Sequence, residues 1–281
     1  MVTWYQRQKD KKEGRTKMKK IAALLMSAVV ALGISGCSAK KDWEYIEDKG
    51  TLTVGITLFE PMNYYDENGE LTGFETEFTK AVCEKLGVEP KFQEIDWNQK
   101  ITELKSKTID VIWNGMTVKD EFKDQINFST PYIRNKQVVV IKADNAQKYA
   151  DLASMTGVTI AAETGSAGQT AIETNDTLKT NDFIGCAAQK DVLLEIKAGT
   201  TEIGVIDYVM AKASVGEGTD YADLMIVDSV ELTPEEYAIG IRLEDTVLLE
   251  KINKAIDELV QDGTLKALAE KYDLADVYAF Q

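Results

Sequence analysis

The chain contains no histidine. That removes the commonest general base, the commonest metal ligand and every histidine-dependent triad. Cysteine is scarce as well, with three residues at positions 37, 83 and 186 and no CxxC spacing. A zinc site of the usual kind is excluded, and no metal or other cofactor is expected. Cys83 falls in a helical pattern and Cys186 in a distant apolar segment. They read as two separate buried thiols, although an exported protein could pair them. Arginine is nearly absent: beyond residue 36 there are only Arg134 and Arg242. Positive charge is short overall, 32 Lys and Arg against 47 Asp and Glu, a net of −15. Such a chain has no basic footprint for nucleic acid. Long apolar runs are missing too. Ile21–Ile34 has fourteen residues, short of the ~20 that span a bilayer, and no second run reaches ~18.

What is present begins with that run. Met18-Lys19-Lys20 precedes it, and Ile34-Ser35-Gly36-Cys37 follows it. A positive start, a short apolar stretch and a small-residue site make an export signal. The cysteine after the expected cut makes a lipobox, with Cys37 acylated and the mature chain anchored to the outer face of the membrane. Residues 1–17 do not suit this pattern, and Met18 reads as the true start. Residues 1–36 hold eight Lys and Arg against two acids, so the mature body carries −21 where the whole chain carries −15.

The body alternates β-rich runs with helical periods, the pattern of an α/β protein with mostly parallel sheets. Leu52–Ile56, Val88–Ile95, Ile109–Ile112 and Val138–Ile141 read as strands. Phe74, Phe78, Ala81, Val82 and Leu86 share a helix face, and Gly87 ends that helix. A second set follows: strands at Val158–Ala161 and Ile203–Ile206, and helices around Val192–Ala198 and Leu248–Val260. Two α/β lobes in succession leave a cleft between them, the usual place for a small ligand.

Several motifs then occur in order: Val54-Gly55, Asp66–Gly69 running to Gly73-Phe74, Ile95-Asp96-Trp97, Ile109-Asp110-Val111, Gly115-Met116-Thr117, Phe128–Tyr132, and Asp262–Leu265 running to Lys271-Tyr272. Together they resemble the polar amino-acid family of ABC-transporter substrate-binding proteins (extracellular solute-binding proteins, family 3), across nearly all of residues 43–275. The resemblance implies a type II two-lobed periplasmic-binding fold with a discontinuous first lobe. It places residues 43–134 and 234–281 in lobe 1, residues 135–233 in lobe 2 and a tether at 37–42. The crossings fall near Arg134–Lys136 and Asp228–Pro234, and the lobes close by hinge motion. It further implies a monomer that captures an amino-acid-like ligand and delivers it to an ABC permease.

Carried onto this sequence, the resemblance implies that Phe59 and Trp97 clamp the ligand, with Glu60 beside Phe59 facing the cleft. Asn114, Gly115 and Thr117 contact the ligand ammonium, and Asp207 pairs with it. Gly165, Ser166 and Ala167 open a helix whose N–H groups receive the α-carboxylate. The sequence departs from the family at one position. Where the family places an arginine after Gly-Met-Thr, this chain has Phe122, which cannot form a bidentate bond. Arg134 is then the candidate to grip a carboxylate, with Asn135 and Gln137 adding neutral contacts and Lys119 a weaker option. Arg242 reads as surface. Alternatively the ligand is an amine or polyamine without an α-carboxylate. A dehydratase on the same fold is a further alternative, although no nucleophile–base pair is visible. A sensory module or a purely structural lipoprotein fits less well.

Overall fold

The protein's computed structural model describes residues 42–280. The export signal, the suggested start at Met18 and the lipobox at Cys37 lie outside the described residues. Among those described, no helix is long and apolar enough to cross a membrane.

The body opens with helix α1 (Asp42–Lys49) and strand β1 (Thr51–Ile56). A small hairpin of β2 (Tyr64–Tyr65) and β3 (Leu71–Thr72) follows. Helix α2 (Phe74–Leu86) buries Phe74, Phe78, Val82 and Cys83, the face that the i, i+4 spacing marks. It ends at Gly87, whose φ of 73° is the left-handed conformation glycine adopts without a steric cost. The chain continues through β4 (Glu89–Glu94), α3 (Lys100–Lys105), β5 (Val111–Ile112) and β6 (Ile126–Phe128). Strand β7 (Ile133–Lys142) is the longest strand.

The second half comprises β8 (Thr159–Glu163), α4 (Ala167–Thr174), β9 (Asp182–Cys186), α5 (Gln189–Ala198), β10 (Ile203–Asp207), α6 (Tyr208–Ser214) and β11 (Leu224–Ile226). Strands β12 (Pro234–Tyr237) and β13 (Gly240–Arg242) and helices α7 (Thr246–Gln261) and α8 (Thr264–Lys271) complete it.

Two mixed sheets result, so the expectation of mostly parallel sheets needs amending. The first has the order β4-β1-β5-β13-β6, with β13 antiparallel to both neighbours. The second has the order β11-β7-β10-β8-β9, with β7 antiparallel to β10 and β11. Strand β13 returns from the far end of the chain, which makes the first lobe discontinuous. β7 joins the sheets: its first residues pair with β12 (Lys136 opposite Pro234) and its later ones with β10 (Ile141 opposite Ile203). The protein is thus a two-lobed α/β structure in which two antiparallel segments, β7 and β12, lie where the sheets meet.

Apolar packing fixes each lobe. Phe74, Phe78, Trp113 and Tyr132 stack in the first, with Phe78 edge-on to Trp113 at 4.9 Å. Tyr149, Ile160, Ile172 and Val205 belong to a cluster behind the second sheet. A smaller cluster of Trp97, Leu104, Ile109, Ile112, Met116 and Ile126 lies beneath the cleft. Cys83 and Cys186 are free and buried. Burial first, and nearby acids second, push their thiols up to about 12 and about 11.

Arg242 corrects the reading of the sequence. It is 3 % exposed rather than a surface residue. Its Nε donates to Asp245 Oδ2 at 2.5 Å, and its Nη1 donates to the Leu104 and Ile109 carbonyls at 3.0 and 2.8 Å. Apolar neighbours on both sides of Arg242 place it inside β13, where the guanidinium ties helix α3 to the sheet.

Candidate functional site

Most of the singled-out residues meet in one narrow cavity of about 20 Å³ between the sheets, well below the ~300–1,000 Å³ of open ligand pockets. The first-sheet side supplies Thr57, Phe59, Trp97, Asn114, Gly115 and Thr117. The second-sheet side supplies Glu163, Ser166, Ala167, Gln189 and Asp207.

Trp97 is held by the turn before it: Asp96 accepts a bond from the Asn98 N–H, fixing a short 3-10 segment. Gly115 has φ 54°, and a Cβ there would meet the Phe59 ring at 2.7 Å. Only glycine lets that loop pass under Phe59. Below it lies Glu75, fully buried, which accepts from the Gly115 N–H at 2.8 Å, from Asn63 Nδ2 at 3.0 Å and from the Tyr132 hydroxyl. Burial pushes the Glu75 carboxyl up to about 7.

Asp207 sits at the N-cap position of α6 yet makes no capping bond. Its Oδ1 accepts from Asn135 Nδ2 at 2.7 Å and Gln137 Nε2 at 2.5 Å, and its Oδ2 accepts from Gln189. The same two amides reach a second carboxylate, Glu235 on β12, at 2.5 and 2.8 Å. Burial first, then the Asp207 charge, push the Glu235 carboxyl well above the usual range. Asn135 and Gln137, expected to contact the ligand, therefore orient Asp207. Thr117 donates its hydroxyl hydrogen to Glu235 at 3.0 Å, so that proton is already committed.

The structure does not gather every expected residue. Arg134 is exposed, and its guanidinium donates to the Ala279 carbonyl at 3.0 Å, outside the cavity lining. Its strand position explains this: β7 alternates, with Asn135 and Gln137 buried and Arg134 and Lys136 exposed. Glu60 lines a neighbouring depression with Tyr64, Asp220 and Tyr221 rather than the central cavity. Burial first, and Asp220 second, raise its carboxyl. Gly165 lies at the rim, where its carbonyl accepts from Lys100 Nζ at 2.9 Å across the cleft.

Phe122 packs on the cluster beneath the cleft, with Lys100 and Lys119 at 5.7 and 5.8 Å from its ring. Lys119 bridges to the second-sheet side, donating to Thr170 Oγ1 at 2.7 Å. Lys100 is 4 % exposed, stands over Trp97 at 4.6 Å and donates to the Trp97 carbonyl at 3.1 Å. Burial first, then Lys119, bring its ammonium down to about 8.

Sequence reasoning missed Glu163, Gln189 and Glu235. Glu163 had a signal: like Asp207, it is an acid ending an apolar strand. Two polar atoms of cavity-lining residues have no partner, the acceptor Glu163 Oε1 and the donor Asn114 Nδ2. Buried polar atoms are nearly always paired, so this cavity is shaped for a guest with both a donor and an acceptor.

A two-lobed α/β fold with a polar cleft between its lobes defines a ligand-capturing protein. Residues 52–275 match the family model of bacterial extracellular solute-binding proteins, family 3, and the chain belongs to that family. It is similar to the probable amino-acid-binding protein YxeM of Bacillus subtilis, 31 % identical over 93 % of this chain and 97 % of that one. It is also similar to the L-cystine-binding protein TcyJ of Escherichia coli K12, 28 % identical over 90 % and 96 %. An ABC uptake transporter substrate-binding protein from Streptococcus pneumoniae, solved with bound histidine, superposes with a TM-score of 0.77. It is 32 % identical, covering 84 % of this chain and 98 % of that structure.

Proposed function

We propose that the protein captures a free amino acid in this cleft and delivers it to an ABC importer. It does so at the outer face of the membrane, held by lipid on Cys37. The observation that carries the reading is the pair of unpartnered atoms beside Asp207. A zwitterion brings the ammonium that Asp207 accepts from and the acceptor that Asn114 Nδ2 lacks, and leaves Glu163 Oε1 to the rest of the ligand.

The roles divide by wall. Asp207, fixed by three amides, takes the ammonium in a charge-assisted bond. The first N–H groups of a helix have no intrahelical partner, so the Ala167 N–H at the start of α4 takes the carboxylate together with the Ser166 hydroxyl, the Ser166 N–H being held by the Glu163 carbonyl at 3.2 Å, and Asn114 reaches it from the facing wall. This replaces the arginine whose place Phe122 holds; Arg134 has no part in it. Trp97 and Phe59 cover the ligand's apolar surface. The lobes, 43–134 with 234–281 and 135–233, close about β7 and β12. The names and bound ligands of the relatives agree with an amino-acid cargo, and the presence of an ABC uptake protein among them agrees with the importer.

Thermal melts against amino acids and their decarboxylated amines test the cargo. A ligand that binds only the folded protein adds about 2.7 kcal/mol at 100 times its dissociation constant. Amino acids are expected to raise the melting temperature. A shift with amines alone shows that the ligand lacks a carboxylate, and no shift at all overturns capture of either. For the anchor, Cys37→Ser is expected to move the protein from the membrane fraction to the medium. Retention at the membrane overturns it.

A further inference from the structure

Charge in the cavity has one sign. Glu163 and Asp207 line it, and no base does. The two acids end neighbouring parallel strands, β8 and β10, whose register sets Ile160 opposite Ile203 and Ala161 opposite Gly204. That register carries Glu163 opposite Ile206, and it is at the strand ends that both carboxylates come to line one small space. They differ in what they touch. Asp207 accepts from Asn135, Gln137 and Gln189. Glu163 is 4 % exposed, its Oε1 has no partner, and among the described residues no ion pair reaches it.

The other charged and titratable groups around Glu163 do not satisfy it. Lys100 on α3 acts on it through space, but its ammonium donates to the Trp97 and Gly165 carbonyls and makes no bond to Glu163. Asp207 on β10, Asp191 on α5 and Asp96 before Trp97 repel its charge, and Cys186 on β9 is a neutral thiol. A buried carboxylate without a partner is costly and stays neutral until one arrives. A single α-ammonium answers Asp207 and leaves Glu163 open.

We propose that Glu163 is a second cation anchor, selecting an amino acid whose side chain carries a positively charged hydrogen-bond donor. This rests on amino-acid capture at the same site. Burial and then Asp207 push the Glu163 carboxyl up to about 8. At neutral pH the group is mostly protonated, so an arriving cation displaces that proton to solvent: the carboxylic acid becomes a carboxylate paired with the ligand, and one proton leaves. Affinity for such a ligand rises with pH through this range.

Isothermal titration calorimetry of the purified protein tests this with two matched pairs, L-arginine with L-citrulline and L-ornithine with L-glutamine. Each is measured at pH 7 in two buffers of different ionisation enthalpy, for the wild type and for Glu163→Gln. The wild type is expected to prefer the charged member of a pair by at least ~10-fold, the effect of about 1.4 kcal/mol, and to release a proton on binding it. Glu163→Gln is expected to lose ~10-fold of that preference and the proton release; a melting curve and measurable binding of the neutral member show that it is folded. The same charged-over-neutral ratio in both proteins overturns the role of Glu163, as does a wild type without preference. Binding of none of the four by the wild type overturns amino-acid capture itself, a result distinct from loss of preference.

Discussion

The two walls of the cleft are made of different chemistry. The first-sheet wall is neutral and shaped, with Phe59, Trp97, Asn114, Gly115 and Thr117. The second-sheet wall is acidic, with Glu163 and Asp207 beside a carboxamide, Gln189. In the proposed reading the first gives area and fit and the second gives orientation, since charge-assisted bonds in a closing, dry cleft fix which end of a ligand points where. The first wall is also braced from below by Glu75, buried and triply bonded, and the second by Asn135 and Gln137 on β7. The supports for Asp207 therefore come from the strand that joins the lobes, which couples the proposed ammonium site to the proposed hinge.

Removing charge from the second wall is expected to have the largest effect. Asp207→Ala abandons an ammonium and three amides, and loss of a buried charge partner costs ~2–5 kcal/mol. Calorimetry should show at least ~30-fold weaker binding. Equal binding would break the division of roles. Next comes the first wall: Trp97→Ala removes aromatic area and is expected to cost ~1–3 kcal/mol, with the ligand still bound in the same orientation.

The third effect is on the unliganded fold and follows from the signs of the shifts. Glu75 at about 7 and Glu163 at about 8 both lie above the ordinary 4.5. A carboxyl raised on folding favours the folded state fully below its unfolded value, and that contribution is lost as pH rises through the folded one. The melting temperature of the empty protein is expected to fall from pH 5 to pH 8, and Glu163→Gln is expected to flatten the upper part of that fall. A flat wild-type profile would contradict the burial assigned to these acids. The smallest effect is that of Arg134→Ala: its guanidinium holds the Ala279 carbonyl at an exposed position, so ligand affinity should change by less than ~3-fold, within the range of surface substitutions.

Much of this was legible in the residue order. The helix face from Phe74 to Leu86 with Gly87 after it and the apolar strands follow from local patterns, whereas Asp207 and the other site residues come from the family resemblance. Phe59, Trp97, Asn114, Gly115, Thr117, Ser166 and Ala167 do meet around one cavity. What failed to show was anything set by strand alternation across distant segments. Arg134 looked available because it stood alone as a cation near a crossing, but its neighbours on β7 face inward and it does not. Arg242 looked exposed because the carbonyls that bury it come from Leu104 and Ile109, more than a hundred residues earlier. Glu235 is a single charge beside another in Pro234-Glu235-Glu236, and no local signal separates the buried one from its neighbour. Glu163 carried the same strand-ending mark as Asp207, and only the cavity gave that mark its meaning.

The most direct test of the account is a crystal structure of the protein with an amino acid that raises its melting temperature. The account predicts the ammonium within ~3.2 Å of the Asp207 carboxylate, the carboxylate at the start of α4, and the side chain against Trp97. A ligand turned end for end, or seated outside the cavity between the sheets, would contradict it.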